Sequence, residues 1–302
     1  MEGSGRKPRL VLTERDMDLL LSVYKYRYLS TSQLQGLHFP SLQTTNRRLR
    51  LLADGGFLST FRSPGIDERL VMLAKKGAEA VAETLLVPFE ALGWEGGRRE
   101  PKDYYFLRHF LAVGDFRIAL TRACERMPDV KLLGFIPEHL GEKKPRGGVQ
   151  KYIREVVADI DRPRGKIAHT PDGVFALEKG GRAALFFLEV DRGTEVLTNP
   201  ERGFLKTLRF YLNYLVSEEY QRYREDFGVG EPFKAFRVLV VTSSAKRLEN
   251  IRTVGGRVDF RPAHAKRFIW LVDEGGVSEE TAFSSIWSSL DPEDGKRYAI
   301  AP

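Results

Sequence analysis

The sequence predicts an α/β protein of the α+β class, with a small helical N-terminal domain and a larger domain built on a mixed sheet. Three observations predict this. Apolar residues recur at helical spacing through residues 13–54. Two extended segments, 57–62 and 68–73, follow around a Ser-Pro-Gly turn, as in a β-hairpin. Beyond residue 103, helical and extended patterns alternate in an order that favours a mixed sheet with flanking helices.

The predicted layout has five parts, in keeping with the two domains expected of 302 residues. They are a flexible, basic, Gly- and Pro-containing arm at 1–9, a helix-turn-helix with a β-wing at 10–76, a linker helix at 77–102, the sheet domain at 103–275 and a C-terminal tail at 276–302.

Composition excludes several classes of protein. Hydrophobic residues make up 42% of the chain, too many for a disordered protein. The single cysteine, Cys124, excludes an internal disulfide and a cysteine-based zinc site. The N-terminus has no apolar leader and no apolar run is long enough to cross a bilayer, so we expect a cytoplasmic protein without a membrane partner.

The net charge of +7 favours an anionic partner, although an ordinary basic surface without a partner is the alternative. The excess is local, because residues 1–75 contain 12 Lys or Arg and 7 Asp or Glu. The basic bias therefore belongs to the predicted helix-turn-helix.

Helix signals in the first domain follow one another closely. Thr13 and Asp16 are spaced as a capping box, and Ser30 precedes a second short helix. The third helix, over about 41–54, separates two stripes. The predicted core stripe is Leu42, Thr45, Leu49 and Leu52, and the polar stripe is Gln43, Asn46, Arg47 and Arg50.

The polar stripe predicts contact with double-stranded DNA. A major groove admits one α-helix, and Arg, Gln and Asn are the side chains that read base edges. Arg48 lies off the stripe and is expected to reach a phosphate, while Arg62 and Arg69 lie near the tip of the wing. The alternative is a helical domain used for protein contacts. His38 is predicted to be a turn or core residue rather than a ligand.

The larger domain is predicted from eight segments and a loop. The segments are a helix at 103–127, strands at 131–140, 173–178 and 183–191, a helix at 200–225, a strand at 236–242, a helix at 245–254 and a strand at 267–273, with a basic loop at 142–151.

Three acids flank two of these strands and predict a Mg²⁺ site. Glu189 and Asp191 share one strand face, and an antiparallel pairing brings Asp172 beside them. Carboxylates hold Mg²⁺ for phosphodiester cleavage, and Lys206 and Arg192 are placed to help. The alternative is that Asp172 and Asp191 belong to ordinary turns, whereas Glu189 interrupts an apolar strand.

The segments LTERDMDLLLSVYKYRYLSTSQLQGLHFP, NRRLRLLADGGFL, PDGVFAL, FFLEVDRGTE and KTLRFYLNY together resemble the plasmid replication-relaxation protein family over about residues 10–275. The resemblance implies replication of plasmids and integrative elements and relaxation of their DNA. It also implies a winged helix followed by a PD-(D/E)XK, restriction-endonuclease-like domain. On that pattern Asp172 and Glu189 are the motif acids and Glu125 is a candidate first acid. Position 191 is Asp where the motif has Lys, so Lys206 would have to replace it.

Three functions remain open on this sequence. The first is a DNA-binding protein of a mobile element with a nuclease-like second domain. The second is an active Mg²⁺-dependent endonuclease that cuts at sites chosen by the winged helix. The third is a transcription regulator, or an adaptor that binds other plasmid replication or transfer proteins; a homodimer is compatible with each.

Overall fold

The computed structural model describes residues 10–94, 103–143, 149–160, 162, 164–199, 202–258 and 263–301. The chain forms two compact units, Met1–Gly114 and Asp115–Pro302. The division falls within a long helix rather than before it, where the sequence predicted it at residue 103. The predicted arm at 1–9 lies outside the described residues.

Unit 1 contains the three helices and the hairpin that the sequence predicted, and a short strand pairs with the hairpin. Its elements are α1 (Glu14–Tyr26), β1 (Leu29–Ser30), α2 (Thr31–His38), α3 (Leu42–Asp54), β2 (Leu58–Ser63), β3 (Ile66–Leu73) and α4 (Lys75–Leu85). The three strands form an antiparallel sheet in the order β1-β3-β2.

Capping boxes fix the first residues of α1 and α2. At α1, Asp16 accepts a hydrogen bond from the Thr13 backbone N–H at 2.7 Å, and the Thr13 hydroxyl accepts one from the Asp16 N–H at 3.3 Å. At α2, Ser30 and Gln33 repeat this exchange at 2.9 and 3.2 Å. Each box satisfies two backbone donors that the first turn of a helix leaves without partners.

The Asp16 carboxylate also joins α1 to α3. It is 1% exposed and accepts two hydrogen bonds from Arg48, the one from Nε at 2.6 Å. Burial opposes its charge, but the bonds from Arg48 and Thr13 outweigh this and hold the pKa of Asp16 below its ordinary value. A buried charge of this kind needs its partner, so the pair fixes α3 against α1.

Helix α4 corrects the predicted linker at 77–102. It begins earlier, at Lys75, ends at Leu85 and packs against α1 within unit 1. Gly77 allows α4 to lie close to the residue before β2, because a Cβ atom there would lie 2.1 Å from the Phe57 carbonyl oxygen. The remainder of the predicted linker, 95–102, lies outside the described residues.

The long helix α5 (Tyr104–Arg126) contributes to both units. In unit 1, Leu107 and Phe110 are buried in a cluster with Tyr28, Leu70 and Met72. In unit 2, Phe116, Leu120 and Ala123 are buried. The sequence predicted this helix as one amphipathic element, and it is one.

Unit 2 is built on a seven-stranded mixed sheet, as the sequence predicted in outline. The order is β14-β13-β12-β11-β10-β9-β4, with β10, β11 and β12 parallel and the other neighbours antiparallel. These strands are β4 (Val130–Pro137), β9 (Gly173–Lys179), β10 (Arg182–Asp191), β11 (Phe236–Thr242), β12 (Ile269–Asp273), β13 (Trp287–Ser289) and β14 (Arg297–Tyr298).

Two small hairpins and three helices complete unit 2. The hairpins pair β5 (Gly141–Lys143) with β6 (Val149–Lys151), and β7 (Glu155–Ala158) with β8 (Lys166–His169). The helices are α6 (Phe204–Ser217), α7 (Tyr223–Phe227) and α8 (Ala245–Gly256).

Several of these elements differ from the prediction. The predicted helix at 200–225 is interrupted after Ser217, because Glu218 adopts a left-handed backbone with φ 57°. The predicted tail at 276–302 supplies β13 and β14 to the sheet. The predicted loop at 142–151 contains strand residues at both ends, and 144–148 lie outside the described residues.

Aromatic side chains hold α6 on the sheet. Phe187 of β10 lies with its ring centroid 5.7 Å from Tyr211 and 5.7 Å from Tyr214, both on α6. Phe236 of β11 lies 4.8 Å from Phe187. All four are buried, so these ring contacts fix α6 against β10 and β11.

Replacing Arg48 with Met tests the link between α1 and α3. The substitution leaves the buried Asp16 carboxylate without its partner, which is expected to cost about 2 kcal/mol at neutral pH. Amide hydrogen exchange in α1 and α3 should therefore become about 30-fold faster. Arg50→Met, on the exposed side of the same helix, is the control and should change exchange little.

Because the pKa of Asp16 is lowered on folding, the stability that the ion pair contributes is present above the unfolded pKa and is lost as pH falls through the folded value. Equal exchange rates in the two variants at neutral pH would contradict this assignment.

Candidate functional site

The outer side of α3 carries the polar stripe that the sequence predicted. Gln43, Asn46, Arg47 and Arg50 are all exposed, whereas Thr45, Leu49 and Leu52 are buried. Leu42 departs from the predicted core stripe and is 49% exposed. The helix therefore presents one continuous polar surface with an apolar residue at its start.

A groove runs between this surface and the β2–β3 hairpin. Its cavity measures about 340 Å³, and its lining residues are Thr31, Ser32, Leu42, Asn46, Arg62, Glu68 and Arg69. Arg62 and Arg69 therefore lie beside α3. Glu68 is bonded within the groove, where it accepts hydrogen bonds from the Ser32 N–H and hydroxyl, both at 2.9 Å.

Arg48 departs from the predicted phosphate contact. Its guanidinium is bonded to Asp16, and that hydrogen bond raises the pKa of Arg48. An arginine that neutralises a buried acid is held in that ion pair, so we do not expect it to bind a phosphate. Of the other four arginines predicted to contact DNA, Arg47 and Arg50 lie on the exposed side of α3, and Arg62 and Arg69 line the groove.

In unit 2, the pairing of β9 with β10 brings Asp172 beside the end of β10, as the sequence predicted. Leu188 pairs with Gly173 in an antiparallel register. The Asp172 carboxylate accepts a hydrogen bond from the Val190 N–H at 2.6 Å, and its own N–H donates to the Leu188 carbonyl at 3.0 Å. Asp172 is thus a buried carboxylate fixed to the backbone of the strand that carries Glu189.

Glu189 is bonded to two side chains. Its Oε1 lies 2.7 Å from His169 Nε2 and accepts a hydrogen bond from the Tyr211 hydroxyl. His169 is the last residue of β8, and its ring packs 5.1 Å from Phe210 and 5.4 Å from Tyr211. Strand β10, hairpin β7–β8 and helix α6 therefore meet at this carboxylate.

Asp191 is bonded to a different helix. Its carboxylate accepts hydrogen bonds from Arg247 Nε at 2.7 Å and from the Gly193 N–H at 2.7 Å. Arg247 lies in the first turn of α8 and also donates to the Glu195 carbonyl at 2.7 Å. Glu189 and Asp191 share a strand face, as predicted, but each faces its own basic partner.

Several acids and two bases determine the electrostatic potential in this region. Burial raises the pKa of Glu189, repulsion from Asp172 adds to the rise, and His169 and Tyr211 offset part of it. Burial opposes a charge on His169, but the attraction of Glu189 outweighs it, so the pKa of His169 is raised, with Asp172 and Glu195 acting in the same direction. Burial and the repulsion of Asp191 and Asp172 raise the pKa of Glu195. The predicted acids therefore lie in one electrostatic neighbourhood, which Glu195 joins.

These residues fit a Mg²⁺ ion poorly. A divalent metal takes several carboxylate or carbonyl oxygens as direct ligands. Here Asp172 Oδ2 accepts a bond from a backbone N–H, Glu189 Oε1 is bonded to His169 and Tyr211, and both oxygens of Asp191 accept bonds from Arg247. Throughout the described ranges, no group of three or more His, Cys, Asp or Glu side chains is arranged to hold a metal ion.

Arg192 and Glu125 are bonded to other residues, and the side chain of Lys206 is exposed to solvent. Lys206 is exposed on α6, and it is Tyr211 of that helix that reaches Glu189. Arg192 forms an ion pair with Glu274. Glu125 is bonded to Arg122 at 2.9 Å on the surface of α5.

A model of one protein family, described as Replication-relaxation, matches residues 20–229. This span covers more than half of the chain. The chain belongs to the replication-relaxation family. No curated protein and no solved structure matches it.

Membership in the replication-relaxation family associates the chain with replication. The matched span contains α2, α3, the hairpin of unit 1 and the acids Asp172, Glu189 and Asp191. Arg247, on α8, lies beyond it. In the described part of this family member, no helix has the length and apolar character to cross a membrane.

Sequence reasoning missed Glu195 and three partners of the acids. His169 ends a four-residue strand that was not predicted, Tyr211 lies among the apolar residues of α6, and Arg247 lies 56 residues from its partner. One signal was present: His169 precedes Asp172 by three residues and so enters the same strand connection.

Replacing Glu189 with Gln tests the ion pair at His169. The variant removes the charge that raises the pKa of His169 and leaves burial, so that pKa should fall below that of an unfolded histidine. NMR titration of the imidazole protons measures this, with His169→Gln to assign the signal among the five histidines. Glu195→Gln, which removes a weaker influence, is the comparison and should lower the pKa less.

The sign of the pH dependence follows. Because folding raises the pKa of His169, the stability gained from its charge is fully present below the unfolded histidine pKa and is lost as pH rises through the folded value. A wild-type pKa for His169 at or below that of unfolded histidine would show that Glu189 does not control it.

Proposed function

We propose that this protein binds double-stranded DNA and acts in the replication or relaxation of a plasmid or other mobile element. The observation that carries the proposal is the exposed stripe of Gln43, Asn46, Arg47 and Arg50, on a helix whose other side is buried. These are residue types that recognise base edges, and this side of α3 does not pack into the core.

The arrangement of unit 1 supports a winged helix-turn-helix. Helices α2 and α3 follow each other across a short turn, and the β2–β3 hairpin lies beside α3 with Arg62 and Arg69 at the groove. In such motifs the second helix enters the major groove. Arg62 on the hairpin is exposed and is expected to contact the phosphate backbone, which adds affinity without sequence preference.

The order of elements in unit 2 supports a nuclease-like fold. Helix α5 is followed by the antiparallel strands β4, β9 and β10, then by α6 and the parallel strand β11. Fold alone does not carry an activity, since activity belongs to the site placed on it. We therefore propose only that unit 2 has a nuclease-like architecture.

The convergence of acids at β9 and β10 favours one second candidate, a Mg²⁺-dependent endonuclease. The negative charge of Asp172 helps to raise the pKa of Glu189 and of Glu195, and Asp191 acts on Glu195 in the same direction. Against it, the three predicted ligands already accept bonds from protein groups. An adaptor that contacts other replication or transfer proteins is the third possibility and predicts capture of such a protein without binding of duplex DNA.

Arg47→Ala and Arg50→Ala should each weaken binding to duplex DNA by about 10-fold, since a good contact to a base contributes about 1–3 kcal/mol. The measurement is fluorescence anisotropy of a labelled mixed-sequence duplex at low salt, followed by enrichment of preferred sites from a random pool. Lys75→Ala is the matched control, because Lys75 is an exposed base of unit 1 on α4. If both arginine variants bind as the wild type does, α3 does not enter the groove.

A plasmid assay separates the two leading candidates. We expect the wild type to leave supercoiled plasmid intact in Mg²⁺ or Mn²⁺, because the carboxylates of Glu189 and Asp191 are paired with His169 and Arg247. Gel electrophoresis of the plasmid measures nicking. Nicking by the wild type that disappears in Asp172→Ala and Glu189→Ala would establish the endonuclease instead, provided that both variants still bind duplex DNA.

A further inference from the structure

The outer face of the β7–β8 hairpin has a composition unusual for a surface strand. Burial alternates strictly along 152–160, through the turn at 152–153 and the strand β7 that follows it. The inner residues are Ile153, Glu155, Val157 and Asp159, and the outer residues, here called the hairpin face, are Tyr152, Arg154, Val156, Ala158 and Ile160. A solvated strand face is normally polar, whereas four of these five residues are apolar or aromatic.

The inner side of the hairpin is firmly attached to unit 2. Glu155 accepts hydrogen bonds from Arg222 Nε at 2.9 Å and from the Tyr223 hydroxyl at 2.7 Å. Asp159 forms an ion pair with Arg209 of α6. The Ile160 N–H donates to Asn213 Oδ1 at 2.9 Å. Because these bonds hold both ends of β7, the hairpin face is presented in a fixed conformation.

Large side chains on the hairpin face are open to solvent. Tyr152 is 46% exposed, Val156 is 45% exposed and Ile160 is 65% exposed. The guanidinium of Arg222 lies 5.0 Å from the centre of the Tyr152 ring, and the Tyr152 hydroxyl donates to Asp226. The ring is therefore held in place while nearly half of the side chain stays accessible.

Cations border this apolar surface. Arg154 lies between Tyr152 and Val156, and Lys166 pairs in register with Ala158. Arg162 and Arg164 are exposed in the turn between the strands. The acids beneath, Glu155 and Asp159, are neutralised by their arginine partners, so the described part of the face is cationic.

We infer that the hairpin face binds single-stranded DNA. A strand of nucleic acid offers phosphates to the cations and unpaired bases to the apolar and aromatic side chains. In a duplex the faces of the bases are stacked inside and only their edges reach the grooves, so an exposed apolar and aromatic surface favours an unpaired strand. The hairpin face does not overlap α3 and the inference does not rest on duplex recognition. It adds a second kind of DNA contact, to the strand that replication exposes.

The test uses the full-length protein and a labelled oligothymidylate. Thymine bases do not pair with one another, so their faces are free to stack on a protein side chain. The triple variant Arg154→Gln, Arg164→Gln, Lys166→Gln should bind it at least about 10-fold more weakly. The slope of log affinity against log salt should decrease in magnitude by about 2, since each single-strand phosphate contact contributes about 0.7. The matched control removes three exposed cations elsewhere in unit 2, Lys234→Gln, Lys246→Gln and Arg257→Gln, and should bind as the wild type does.

A pair of variants at Tyr152 tests the contact with a base. Tyr152→Ala should weaken binding by about 10-fold, because stacking of one base on an aromatic ring contributes about 1–3 kcal/mol. Tyr152→Phe keeps the ring and loses only the hydrogen bond to Asp226, so it should bind nearly as the wild type does. Equal losses in both variants would indicate that the residue has a structural role only.

Two results would overturn the inference. The first is failure of the wild type to bind oligothymidylate at low salt. The second is equal binding by the triple variant and its charge-matched control. Oligothymidylate binding that falls in Arg47→Ala and Arg50→Ala, but not in the triple variant, would place the single strand on α3 and leave the proposal for duplex DNA standing.

Discussion

Several buried carboxylates are paired with a basic side chain on another element, and these pairs help to fix the elements of both units. Asp16 is neutralised by Arg48, Glu189 by His169, and Asp191 by Arg247. In every case the acid and the base lie on different elements. Because an unpaired charge in a protein interior is costly, each pair specifies one position of a helix or hairpin relative to its neighbour.

The same constraint explains the character of the acidic neighbourhood in unit 2. A metal ion and a basic side chain are alternative ways to neutralise a carboxylate at the end of a strand. Here the imidazole of His169 and the guanidinium of Arg247 take that role on the two acids of β10. The result is a set of acids in which Asp172 contributes to the raised pKa values of Glu189 and Glu195, while each predicted ligand is engaged by the protein itself.

Local features of the fold were predictable because their causes are local. The capping boxes at Thr13 and Ser30, the stripes of α3 and the antiparallel approach of Asp172 to the end of β10 all follow from spacing within a few residues or across one hairpin. The strands of the C-terminal segment were not predictable in this way. Strand β13 has three residues, too few for a periodic pattern, and it forms because it pairs with β12.

The partners of the acids lie at the limit of what one sequence can show. An aspartate after an apolar strand has the same appearance whether its partner is a metal, a helix N–H or an arginine. Asp191 and Arg247 are 56 residues apart, and only the parallel pairing of β10 with β11 places the start of α8 beside the end of β10. Arg48 gives the same lesson in reverse. Its position among exposed arginines indicated a phosphate contact, and the buried Asp16, 32 residues earlier, engages it instead. Charge on a helix surface therefore predicts a ligand only after the protein's own buried acids have been paired.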